Sequence, residues 1–67
     1  MNADQAFAAY DWAIGLINGC ENEQELDRIS DHAAAMKMAK EAGYSLEQAD
    51  LAHQILLHAY MKLYGRG

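Results

Sequence analysis

The sequence predicts an all-α fold, a compact three-helix bundle running up-down-up. Three observations carry that expectation. Proline is absent, alanine is abundant and β-branched residues are few across the 67 residues, so no segment favours strand over helix. Glycines fall where helices would end. Apolar side chains recur at spacings of three and four.

The first periodic segment runs to Asn18-Gly19 and the second to Ala42-Gly43, each closed by a glycine able to take the left-handed conformation that stops a helix; Gly65 closes the third. Start signals match these stops. Ser45 precedes Gln48 by three residues, a capping box, and Asn22 with Glu25 is a close variant. Helices are therefore expected at about 3–18, 23–42 and 46–64, within a single helical domain spanning 1–67.

The run Gly19-Cys20-Glu21-Asn22-Glu23-Gln24-Glu25-Leu26-Asp27-Arg28 gathers acids around the only cysteine, and no basic residue precedes Arg28. Acids at the start of a helix meet the positive end of its dipole, and Lys37 and Lys40 toward the other end complete the pattern; Lys62 and Arg66 repeat it at the end of the third helix. Most of this charge is helix chemistry. Glu21, Glu23, Glu25, Asp27 and Asp31 nonetheless form a candidate acidic steering surface.

In the first helix, Phe7, Tyr10, Ile14 and Ile17 form the expected core seam. Trp12 and Leu16 lie nearly opposite. Gly15 costs about 1 kcal/mol of helix propensity relative to alanine, for which close backbone approach or a flexible point is the expected reason. The second helix has one stripe, Leu26, Ile29, Ala33 and Met36. The third has a broad stripe of Ala49, Ala52, Ile55, Leu56, Ala59, Tyr60 and Leu63, with Leu57, Met61 and Tyr64 down its back. Three helices bury about one broad face each. That leaves Trp12, Leu16, Leu57, Met61 and Tyr64 as candidate partner-binding residues, because Trp, Tyr and Met are enriched at interface cores.

Catalytic, cofactor and metal motifs are not legible. His53 and His58 stand five apart, roughly 140° around a helix, and do not share a face; His32 reads as a surface residue. Cys20 has no base or oxyanion site marked around it, although the start of the next helix could depress its pKa. No phosphate-binding glycine loop or nucleophile elbow is present. The expectation is no enzyme, no cofactor and no metal. A net charge of −5 opposes nucleic acid and anionic lipid as ligands. A lone cysteine, no signal-peptide pattern and no apolar run long enough for a membrane span suggest the cytoplasm.

Two likenesses bear on function. Met38-Ala39-Lys40-Glu41-Ala42-Gly43-Tyr44-Ser45-Leu46-Glu47-Gln48-Ala49 resembles the middle of a helix-turn-helix, which implies DNA binding through residues 38–56. The first turns of that second helix carry Glu47, Gln48 and Asp50, however, and no basic residue until Lys62. Cys20, Leu26, Asp27, Arg28 and Ile29, with Lys62-Leu63-Tyr64, resemble the Hha/YmoA family of small enterobacterial nucleoid modulators, which implies a helical protein acting by binding a larger one. No site residue is carried over from either likeness.

A chain of this size gains only about 3–5 kcal/mol from one core, which makes a partner plausible on physical grounds. The sequence thus points to a small acidic protein-binding regulator, adaptor or inhibitor, economical in the manner of bacterial and phage proteins. It would dock its apolar surface on a larger host protein or on a second copy as a homodimer. The alternatives are the helix-turn-helix regulator and an acidic nucleic-acid decoy.

Overall fold

The computed structural model describes residues 1–65, and Arg66 lies outside them. Four helices follow in order: α1 (Ala3–Asn18), α2 (Glu23–Ser30), α3 (His32–Glu41) and α4 (Leu46–Tyr64), with no strand among the described residues. The all-α expectation holds, and the three-helix expectation is corrected at one residue. Asp31 takes an extended conformation (φ −61°, ψ 135°) and divides the expected 23–42 helix. Its Oδ2 accepts the Ala34 N–H at 3.2 Å, so it caps the N-terminus of α3 while ending α2. An aspartate competes with the helical backbone for hydrogen bonds, and here it wins.

Other boundaries rest on the expected chemistry. Ser45 and Gln48 exchange both hydrogen bonds of a capping box, at 3.2 and 3.0 Å. Asn2 and Gln5 do the same for α1, a start signal beyond the two expected. Asn22 accepts the Glu25 N–H at 2.9 Å, whereas the Glu25 carboxylate reaches the Glu21 N–H rather than that of the cap. At the end of α3, Gly43 adopts φ +90° while its N–H donates to Lys40 O and the Tyr44 N–H to Ala39 O, each at 3.0 Å. These paired bonds close the helix in a Schellman turn. Gly19 (φ −82°) and Gly65 (φ −66°) end their helices without the left-handed conformation expected of them.

The spine of the molecule is α4, which packs on all three other helices. Its 19 residues span about 28 Å at 1.5 Å per residue, most of the 33 Å long dimension. It runs in the same direction as α1, because Gln48 Nε2 donates to Gln5 O near the start of both helices and Ile17 meets Leu63 across a groove near their ends. It runs against α2 and α3, since Glu23 meets Tyr60 and His32 meets His53.

The core is an alanine seam with two large side chains set into it. Ala9, Ala13, Ala35, Ala39, Ala49 and Ala52 are buried, and Leu26 and Leu56 are the large side chains fully enclosed. Small residues at the crossing points let helix backbones approach closely, and bulkier groups then pack along the flanks. This overturns the expected face of α1. Phe7 is 68% exposed and Tyr10 52%, while Ala9 and Ala13 point inward with Trp12, Leu16 and Ile17 against the core. Taking 3.6 residues per turn, the buried face is rotated by roughly 100° from the expected seam. Trp12 is held further by Tyr44 from the α3–α4 turn, ring centroids 5.1 Å apart. Ala33 of the α2–α3 stripe is exposed and Ala35 buried, because the break at Asp31 resets the helical phase. A Cβ on Gly15 would meet nothing within 4 Å, so close backbone approach does not account for that glycine.

Candidate functional site

The candidate site lies on the second half of α4. From Ile55 to Tyr64 only His58 and Lys62 interrupt the apolar side chains. A helix apolar on every side is normally enclosed. Here Ile55, Leu56 and Tyr60 face the core, whereas Leu57 (43% exposed), Met61 (58% exposed), Leu63 and Tyr64 are uncovered. The other helices leave the outer side of this end uncovered.

Of the five residues expected to bind a partner, the structure brings three together on that surface. Leu57, Met61 and Tyr64 share the back of α4, and the Tyr64 ring rests on Tyr60 with centroids 5.8 Å apart. Trp12 and Leu16 lie elsewhere, packed on the core. Their place opposite the expected seam made them leftover anchors, but the rotation of α1 makes them its inward flank. Phe7, Tyr10 and Leu63, assigned to the core from periodicity, are exposed instead. A groove between α1 and α4, lined by Tyr10, Ile14, Ile17, Ile55 and Leu63, extends the apolar surface on that side.

Acids flank the apolar end. The Tyr60 hydroxyl donates to Glu23 Oε1 at 3.1 Å, which holds the start of α2 beside the second half of α4. Three of the five candidate steering acids also serve the local backbone or side chains: Glu23 in that bond, Glu25 on the Glu21 N–H at 2.7 Å and Asp31 as a cap. Each keeps its charge near the surface while doing so.

Cys20 packs on the core and donates its Sγ–H to Leu16 O at 3.3 Å. Burial pushes its thiol above the ordinary value, and the nearby Glu25 carboxylate adds to the rise. The shift opposes the depression that the start of α2 suggested. Raised in this way, the thiol is a poor nucleophile at neutral pH.

One cluster escaped the sequence reading. His32 at the start of α3 meets His53 on α4 edge to face, ring centroids 4.9 Å apart, and Asp50 lies one turn before His53. An antiparallel hairpin about the Gly43 turn brings together residues at similar distances on either side, which is the one signal that could have found it.

No protein-family model, curated protein or solved structure matches the chain. The likenesses to a helix-turn-helix and to nucleoid modulators rest on the quoted residues alone. Among the described residues, no helix is long and apolar enough to cross a membrane.

Proposed function

We propose that this protein is a small non-enzymatic binding module, a regulator, adaptor or inhibitor in the cytoplasm, that docks the second half of α4 on a larger protein. The observation that carries the reading is the uncovered apolar end of α4, with Leu57, Met61, Leu63 and Tyr64 outside a core that, among the described residues, fully encloses the large side chains of Leu26 and Leu56. Burying such groups stabilises a complex by about 25 cal/mol per Å² of apolar surface, against the cost of ordering and association.

Charge selects the partner. Of the candidate steering acids, Glu23, Asp27 and Asp31 stand beside the apolar strip and favour a basic-rimmed groove, and the net charge of −5 sets two copies of the chain against each other. Self-association is therefore the weaker form of the reading. The helix-turn-helix alternative gains nothing from the geometry: Glu47 sits 3.2 Å from the N-terminal ammonium and Gln48 is bound to α1, so the start of α4 is turned to intramolecular work. For an acidic decoy, Glu23, Glu25 and Asp31 already hold hydrogen bonds within the fold.

The test uses Leu57→Asp and Met61→Asp, with Phe7→Asp as an exposed apolar control. Light scattering across a concentration series gives the mass of each chain alone, and affinity capture followed by measured binding gives the partner. The expected result is a monomer whose binding is lost in the two α4 variants and retained in the control, with unchanged helicity throughout. Loss of binding in all three variants, or a dimer dispersed by Met61→Asp, would replace docking on a larger protein.

A further inference from the structure

We infer that His32, Asp50 and His53 form a binding site for a divalent transition-metal ion of the zinc, cobalt or nickel class. One ligand atom from each of the three residues lies within 4.8 Å of the other two. Bonds of about 2.0–2.2 Å in a tetrahedral site hold ligand atoms roughly 3.3–3.5 Å apart. Closing the cluster on an ion therefore requires side-chain displacements of about an ångström. His32 and Asp50 are exposed, and His53 is half-buried, so the first two have room to turn toward a third that α4 holds.

The local bonding favours coordination. Among the described residues, neither imidazole hydrogen-bonds to protein, and the two rings meet edge to face. Their nitrogens remain available as donors of lone pairs. Asp50 Oδ2 accepts the Gln54 Nε2–H at 2.9 Å, a contact that orients the carboxylate as partners of metal ligands do. Asp27, Asp31 and Arg28 line a groove together with His32 and His53, so two acids stand against one guanidinium beside the imidazoles.

The donor set selects the ion. Two imidazoles and a carboxylate suit zinc and its neighbours, whereas calcium and magnesium need shells of oxygen. Three protein ligands leave a position for water or a donor from another molecule. The ion would join the first residue of α3 to α4, bracing the helix pair next to the break at Asp31. His58 lies in the groove between α1 and α4, away from the cluster, and serves as an internal control. This inference does not depend on the docking reading, since it concerns ligands from one chain.

The experiment titrates the full chain, free of any histidine tag, with zinc chloride by calorimetry and with cobalt chloride by visible absorption. Imidazole nitrogen NMR follows the wild-type protein in parallel. Expected are one ion per chain, perturbed His32 and His53 signals with His58 unmoved, and binding unaffected by a hundredfold excess of magnesium. His32→Gln and His53→Gln should each weaken binding at least about tenfold, Asp50→Asn less, and His58→Gln not at all. The site is overturned by no binding up to millimolar zinc, by half an ion per chain, or by equal weakening from His58→Gln. The wild-type NMR titration decides the matter even if a variant loses its fold.

Discussion

The two halves of α4 differ in composition and meet opposite surroundings: polar residues are frequent from Leu46 to Gln54, whereas only His58 and Lys62 interrupt the apolar run that follows. Through the first half and on the inward side of the second, Ala49, Ala52 and Leu56 are buried under the other helices, and the helix start is fixed by the Ser45–Gln48 box and by Gln48 on α1. In the second half, Leu57, Met61, Leu63 and Tyr64 have no such cover. Apolar content alone therefore says little about burial in so small a protein. The number of helices available to cover a turn decides it.

Adjacent leucines give the sharpest way to break that comparison. Leu56→Ala leaves a cavity in the core and is expected to cost about 2–5 kcal/mol, comparable with the entire stability of a domain this size. Urea unfolding followed by circular dichroism would show little folded protein at 25 °C. Leu57→Ala should stay within about 0.5 kcal/mol of the parent. A similar loss from both would mean that the second half of α4 is covered after all.

A smaller effect tests how the first half is held. Gly43→Ala forces alanine into the left-handed region at φ +90° and should destabilise by about 1–2 kcal/mol, read as a lower thermal midpoint. The same exchange at Gly15 should act in reverse. No atom meets the added methyl, so Gly15→Ala is expected to raise stability by about 0.5–1 kcal/mol through helix propensity. A fall in the midpoint would reveal a role for that glycine beyond propensity.

The smallest effect concerns Cys20. Its folded thiol is raised above the unfolded value, so its contribution to stability is intact below the unfolded thiol range near ~8.5 and is lost as pH rises through the folded value. Urea midpoints from pH 7 to 10 should fall less steeply in Cys20→Ala than in the parent. Equal slopes would place the alkaline loss elsewhere.

Helix positions were largely legible because capping is local: Asn22 and Ser45 act on atoms three residues away. The exposed strip Leu57, Met61 and Tyr64 was legible for a related reason, since one helix fixes which of its residues share a side. Burial of Trp12 and exposure of Phe7 were not, because periodicity weights large side chains and α1 packs through Ala9 and Ala13. Asp31 read as one more surface acid, as an aspartate inside a helical pattern often is. The His32–Asp50–His53 cluster depends on how two helices align after a turn, which spacing within either helix does not contain.

The extended residue at Asp31 has a consequence in time as well as space. It leaves α2 as eight residues, far below the length at which an isolated helix persists in water. The segment is helical only while Leu26 sits in the core, so its amides should open to solvent as one group, earlier than those of Ala49 to Leu56. Deuterium uptake would then reveal two clocks in a chain of 67 residues, and Asp31 would mark the boundary between them.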